Sequence, residues 1–219
     1  PKDIVSGDFY FVEKVDDQIF FSLVDCTGHG VPGALMSVMG FKYLEQAVVE
    51  KKIFSPAAIL SFLDRGVHST LRQAHQTLDV KDGMDLALCV LTRQTSSGGQ
   101  PNLHLKCAGA YNSVLVIRNG ELFEFKGDRS PIGALTGNYT EHTMQLQKDD
   151  LIYMVSDGYE DQFGGPNEKK FKSKHVKELL LSICQKTLEE QKIILETTLE
   201  SWRNSLEQTD DICVMGVRV

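Results

Sequence analysis

Four aspartates stand where an apolar run meets turn-forming residues: Asp8 behind Ser6-Gly7, Asp25 at the end of Phe20 to Val24, Asp157 at the end of Leu151 to Val155, and Asp210 ahead of the last apolar run. Carboxylates in an all-oxygen set suit a hard divalent cation, Mg²⁺ or Mn²⁺ rather than Zn²⁺. Two such ions about 3.5–4 Å apart can activate a water and polarise a phosphoryl oxygen for in-line displacement. Two strand ends of the same kind in one chain, Asp25 with Gly28 following and Asp157 with Gly158 following, suggest a site at the rim of a sheet.

The residues around Asp25 sharpen this. Phe9-Tyr10-Phe11-Val12 and Ile19 to Val24 flank Asp16-Asp17 in the pattern of two strands on a tight turn. With Asp16-Asp17 as the loop, Val15 pairs with Gln18 and Asp8 faces Asp25. Opposed residues of an antiparallel pair have Cβ atoms about 4.5–5.5 Å apart, and like charges there repel. A cation between them is the simplest compensation; a register shifted by one residue, or aspartates that are merely solvated strand ends, is the alternative. Past Asp25 the chain turns through Gly28-His29-Gly30 and restarts as a helix with Pro32 at its first position.

That helix runs to about Glu50, and its apolar residues cover most faces, so it is expected to be buried. Ser55-Pro56 then opens a second, amphipathic helix through Leu78. His68 and His75 lie on it at a spacing that is ordinary for a helix surface. Lys81-Asp82-Gly83 ends it, and Met84 to Thr92 reads as a central strand, followed by a polar loop from Gln94 to Gln100. Leu103, Leu105 and Cys107 mark a half-exposed strand. Asn119-Gly120 joins Val114–Ile117 to Leu122–Phe125 as a hairpin. After a loop from Gly127 to Asn138 come a strand at His142, Met144 and Leu146 and the buried strand Leu151–Val155, whose end carries Asp157. Gln162 to Lys170 reads as a loop. Val176 to Ile183 is a helix, a capping box at Thr187 and Glu190 opens another, and Ile212–Val219 is the last strand. If that strand lies antiparallel to Leu151–Val155, Asp210 comes to Asp157. The inventory implies two packed sheets flanked by helix layers.

Composition narrows the partners. The chain has 219 residues, 42% of them hydrophobic, and no linker-like stretch, so it reads as one domain. It begins at Pro1, as a catalytic part excised from a longer regulated protein would. A net charge of −7 without a basic cluster argues against nucleic acid. No run spans a bilayer and no signal peptide is present, so the domain is expected to be cytoplasmic without membrane contact, although a missing segment could anchor the full-length protein. Five scattered cysteines without C-x-x-C read as reduced core residues.

Seven short motifs occur in order along the chain: Ser6-Gly7-Asp8-Phe9-Tyr10, Val24 to Ala34, Gly83 to Leu88, Ala108 to Asn112, Pro131-Ile132-Gly133, Val155 to Gly158, and Thr209 to Ile212. Together they resemble the bacterial metal-dependent serine/threonine protein phosphatases of the type 2C superfamily, in the sporulation protein E-like branch. The resemblance implies an α+β fold, an α-β-β-α sandwich of two mostly antiparallel sheets flanked by helix pairs. It implies two Mn²⁺ or Mg²⁺ ions held by Asp8, Asp25, the backbone carbonyl of Cys26, Asp157 and Asp210, with Asp25 bridging. It also implies a water nucleophile, with Asp25, Asp157 and Asp210 as the catalytic carboxylates. His29, in the Gly-His-Gly of the second motif, matches a donor to the leaving alkoxide or a structural element of the helix start. Asp85 is either a carboxylate supporting the ligands, a ligand of a third metal, or the capped start of its strand. The partners implied are a phosphoprotein substrate of the anti-sigma-factor antagonist type, an upstream sensory or regulatory domain, and room for a homodimer. Ser6 replaces the glycine usual in the first motif, and where eukaryotic relatives carry a phosphate-binding arginine this chain has only Lys2.

Other chemistries are limited by the residues. No cysteine has an arginine six positions on, which removes a cysteine-nucleophile phosphatase, and no D-x-D occurs, which removes an aspartyl-phosphate mechanism. A pseudo-phosphatase that binds phosphoproteins without turnover, or a phosphomonoesterase acting on a small molecule, is the alternative. All four motif aspartates are present.

Overall fold

The computed structural model describes residues 1–74, 82–95, 101–135 and 137–219. His75, Leu78, Lys81 and positions 96–100 of the expected polar loop lie outside these. One antiparallel sheet has the order β1 (Phe9–Val15), β2 (Gln18–Cys26), β3 (Met84–Thr95), β4 (Pro101–Ala110) and β7 (His142–Leu146). The second has the order β11 (Val214–Arg218), β8 (Leu151–Val155), β5 (Val114–Arg118) and β6 (Glu121–Phe125), again antiparallel. Three apolar clusters give four layers. Phe21, Leu23, Ala87, Ile152 and Met154 fill the space between the sheets. Helices α1 (Gly30–Glu45) and α2 (Pro56–Ala74) cover the outer face of the first sheet, and α4 (Ser173–Ile183) and α5 (Leu188–Arg203) cover the outer face of the second. This is the α-β-β-α sandwich of the expected class.

Local chemistry accounts for the elements. The β1–β2 ladder pairs Val15 with Gln18 and runs to Phe9 with Val24, so the next opposed pair is Asp8 with Asp25. The register read from the alternation is therefore the one adopted. Asp16 sits at φ 54° in the turn, and Asn119 and Gly120 at φ 51° and 81° turn β5 into β6, as a mirror-image hairpin turn requires. Ser55 accepts the Ala58 N–H at the head of α2, and Thr187 and Glu190 form the reciprocal capping box of α5.

Several details differ. Helix α1 begins at Gly30, which makes Pro32 its third residue, still within the first turn where a missing N–H costs nothing. Regular α geometry stops at Glu45, and Gln46–Glu50 is a π-helical turn. The helix is not buried all round. Its inward stripe is Gly33, Met36, Gly40 and Leu44, while Val31, Leu35 and Val38 are 67–70% exposed. Glycines on the inward stripe let the helix lie close to the sheet, which leaves its outer apolar side chains uncovered. Strand β3 extends to Thr95, past the expected start of the loop. The stretch after Asp157 holds a one-turn helix, α3 (Asp157–Asp161), and a small hairpin of β9 (Phe163–Gly164) and β10 (Lys169–Lys170). The segment expected as loop from Gly127 is tied to the first sheet by single bridges, Met84 to Ile132 and Ala110 to Asp128.

One contact joins the first sheet's rim to α1. A Cβ on Gly33 would collide with the Gly28 carbonyl and sit 3.1 Å from the Gly7 Cα, and a Cβ on Gly7 would lie 2.7 Å from the Gly28 oxygen. Backbone meets backbone here, so a side chain has no rotamer by which to escape. Gly33→Ala is expected to cost about 1–3 kcal/mol of stability, in the range of overpacked sites, as read by urea denaturation; an unchanged midpoint would mean the helix start shifts freely.

Candidate metal centre

Strand ends place the carboxylates. Asp25 is the penultimate residue of β2, Asp85 is its register partner on β3, and Asp8 stands opposite on the chain entering β1. One row across three strands therefore carries three acids. Asp157 comes from the other sheet, as the first residue of α3 directly after β8, and its N–H points to Asp25 Oδ2 at 3.4 Å. Asp25 thus has the Asp8 carboxyl on one side and Asp157 on the other, and both charges act on it.

The electrostatics follow from crowding acids at a partly buried rim. Burial, then the charges of Asp8 and Asp157, push the Asp25 carboxyl up to about 9. Burial raises Asp8 to about 6, with the neighbouring charges of Asp211 and Asp210 adding to it and hydrogen bonds from Ser156 and Asp25 opposing it. Asp85 is raised to about 6 by burial and the Asp157 charge. Asp157 is raised by burial and by Asp210, with Lys170 the last, opposing influence. Asp210 is exposed, and its Oδ1 accepts the Asp211 N–H at 2.8 Å, so its charge reaches the cluster from the side. The Cys26 thiol is buried and raised by burial, while its carbonyl lies 3.2 Å from where a Gly7 Cβ would stand, beside the segment leading to Asp8.

These groups fit a divalent cation by the chemistry of the donor set. All are oxygens, and Asp8 Oδ2 is buried with no hydrogen-bond partner. An unpaired buried carboxylate oxygen is costly unless something cationic meets it. Among the described residues no three His, Cys, Asp or Glu side chains stand close enough together to hold an ion by themselves, so the fit rests on the donor chemistry and on the unpaired Asp8 oxygen. Asp25 stands between Asp8 and Asp157, and the charges of Asp85 and Asp210 reach the same group.

His29 is not drawn into this group. It is the N-cap residue of α1, and its Nδ1 is 2.7 Å from Asp3 Oδ2, both side chains about half exposed. His68 bonds the Gly133 carbonyl through Nδ1 at 2.8 Å, a local tie of α2.

Two hydroxyls escaped sequence reasoning. Ser156, fully buried, accepts the Cys213 N–H at 2.9 Å while its own N–H donates to the Cys213 carbonyl at 2.9 Å, which locks β8 to the approach of β11 beside Asp8. Thr27 and Gly83 exchange bonds between backbone and Oγ1 at 3.0–3.1 Å, fastening the loop after Asp25 to the start of β3. Each flanks an aspartate at a strand end, and that adjacency was the available signal.

The fold and this rim define a phosphatase domain of the PP2C type, in its SpoIIE-like branch. The chain belongs to the Stage II sporulation protein E (SpoIIE) family, whose model matches residues 15–219. Among solved structures, the SiaA PP2C domain of Pseudomonas aeruginosa is 31% identical, with a TM-score of 0.88 over 100% of this chain and 83% of that one. The PP2C domain with a regulatory-domain fragment of Bacillus subtilis SpoIIE is 21% identical, with a TM-score of 0.74 over 99% of this chain and 59% of that one. The RsbU and RsbW domains of a Mycobacterium tuberculosis protein give 19% identity and a TM-score of 0.70 over 99% and 56%. The latter two bear on the fold alone. No curated protein sequence matches the chain. No helix among the described residues is long and apolar enough to cross a membrane.

The repulsion within the row sets a test. Carboxyls raised in the folded state hold protons that the unfolded chain releases, so their contribution favours folding at low pH and fades as pH rises from about 4 toward the raised folded values of about 6 and 9. In chelator, the melting temperature should therefore fall between pH 5 and pH 8, and Asp25→Asn should raise it at pH 8 and flatten the slope. Scanning fluorimetry at both pH values reads this; a parallel slope in the variant would count against a crowded carboxyl.

Proposed function

We propose that residues 1–219 act as a single catalytic domain that hydrolyses phosphoserine or phosphothreonine on a partner protein, using two Mn²⁺ or Mg²⁺ ions at the sheet rim. The observation that supports this best is the placing of Asp25 between Asp8, opposite it at the end of its own sheet, and Asp157, whose N–H reaches it from the other. A carboxylate flanked by other carboxylates is suited to cations, and Asp8, Asp25, the Cys26 carbonyl, Asp157 and Asp210 would be the groups that hold them. When bound, such ions supply charge neutralisation at the phosphoryl oxygens and lower the pKa of an attacking water.

The chain's own residues do the rest. Asp25, whose ionisation is opposed by burial and by Asp8 and Asp157, would have to be deprotonated to hold a cation, so cation binding would be linked to pH. Ser156 and Thr27 hold the backbones that carry Asp8, Asp157 and Asp25 by bonds to Cys213 and Gly83. Asp8, Asp25 and Asp85 are half-buried and Asp210 is exposed, so the rim is reachable from the surface. We assign no step to His29, whose ring is turned to Asp3.

The SiaA domain, 31% identical, supports the reaction class by likeness, and a phosphoprotein of the anti-sigma-factor antagonist type is the substrate proposed from the resemblance of the motifs. We propose a regulatory segment elsewhere in the full-length protein on the same footing, and a cytoplasmic site of action.

Asp25→Asn should reduce hydrolysis of a phosphoserine peptide at least a thousandfold while circular dichroism stays that of the parent. Parent activity should require Mn²⁺ or Mg²⁺, vanish in chelator, and survive replacement of Cys26 by serine or alanine, since its carbonyl rather than its thiol is the donor. Turnover of Asp25→Asn within tenfold of the parent would overturn the centre; faster turnover of a phosphorylated metabolite than of any phosphopeptide would move the substrate to small molecules.

A further inference from the structure

We infer that Asp211 is a positioning residue for this centre: it fastens together the chain segments that carry Asp8, Asp157 and Asp210, and so sets how far apart those carboxylates stand. This rests on the metal-centre reading above. Asp211 is only 2% exposed. Its Oδ1 accepts the Lys2 N–H at 2.7 Å and its Oδ2 accepts the Gly7 N–H at 2.7 Å. Gly7 directly precedes Asp8, so the second bond fixes the peptide that places the Asp8 side chain. The Asp211 N–H donates to Asp210 Oδ1 at 2.8 Å, which holds that carboxylate back toward its own chain. The Asp211 carbonyl presses on Gly158, where a Cβ would collide with it, and Gly158 directly follows Asp157. Two proposed ligands, Asp8 and Asp157, are thus one residue from a contact made by Asp211, and the third, Asp210, is contacted directly.

The choice of a charged residue supports positioning over simple bracing. Asp150, the other buried aspartate at a sheet end, is met by the Arg118 guanidinium through Nε at 2.9 Å and Nη2 at 2.6 Å, so its charge is neutralised on the spot. The Asp211 carboxylate is met by main-chain N–H groups instead, and its charge adds to the repulsion on Asp8. As a brace alone that arrangement is wasteful, because a negative charge beside Asp8 opposes folding. Beside a site that takes cations the same charge is favourable. The bonded segment Lys2–Gly7 is also tied at Asp3 to His29 Nδ1 at 2.7 Å, so Asp211 holds a strap whose other anchor is the head of α1.

Calorimetric titration of Mn²⁺ into the parent, Asp211→Asn and Lys2→Pro tests this. The asparagine keeps the size but sets an NH₂ group against one of the two N–H donors. Lys2→Pro removes one donor and leaves Asp211 in place. Asp211→Asn, held well below its melting temperature, should bind Mn²⁺ about tenfold or more weakly, in the range seen when groups supporting metal ligands are removed. Its half-maximal Mn²⁺ for activity should rise in parallel, and kcat at saturating Mn²⁺ should recover most of the parent value. Lys2→Pro should shift binding in the same direction by less. A folded Asp211→Asn that binds Mn²⁺ within about twofold of the parent overturns the inference, whatever its melting temperature. If that variant does not fold, Lys2→Pro decides by the same twofold criterion. A parent that binds no Mn²⁺ or Mg²⁺ overturns the metal reading and this inference with it, whereas unchanged binding in the variant alone overturns only the role of Asp211.

Discussion

Carboxylate repulsion at one rim of a sandwich is the interaction on which the rest of this structure turns. Antiparallel pairing puts Asp8, Asp25 and Asp85 in one row, and the second sheet brings Asp157 up against its middle. A fold selected for stability alone would not concentrate acids there, since each raises the cost of ionising the next. The elements around the row hold it in place against that cost. Thr27 ties the loop behind Asp25 to Gly83, Ser156 ties the strand end behind Asp157 to Cys213, and Gly7, Gly28 and Gly33 bring three backbones into contact.

Much of this was legible because its periods are short. The alternation of Phe9 to Val24 and the two-residue turn determine the β1–β2 register, and register is strongly specified wherever one face is buried. Phe20 and Val24 face the helices while Phe21 and Leu23 face the other sheet, so a slip by one residue would exchange the two sets. The capped helix starts at Ser55 and Thr187, and the Asn119-Gly120 turn, were readable for the same reason: each depends on three or four neighbouring residues.

What was misread depends on distant partners. The apolar residues of α1 are equally compatible with a helix buried all round and with one pressed flat on a sheet; only the glycines on its inward stripe decide, and their effect is on Met84 and Phe9 of the sheet. The position of Asp85 opposite Asp25 follows from a β2–β3 pairing that spans the whole α1–α2 hairpin, which no local pattern announces. Nothing near Asp211 in the chain marks it, because its side-chain bonds are to residues more than two hundred positions away.

Because the carboxylates come from both sheets, the geometry of the rim is set by how the sheets face each other. Asp25 and Asp8 move with the first sheet, and Asp157 and Asp210 with the second. What holds the sheets in register is the apolar layer between them, in which Phe21 and Leu23 of β2 lie with Ile152 and Met154 of β8. These side chains alternate along the strands that end on Asp25 and Asp157, so a change of volume in that layer is transmitted along rigid strands to the two aspartates. Protein interiors yield little to such changes, and coordination tolerates little misplacement. The inter-sheet core therefore does two things at once: it supplies the burial that makes the sandwich stable, and it sets the separation on which any bridging by Asp25 depends.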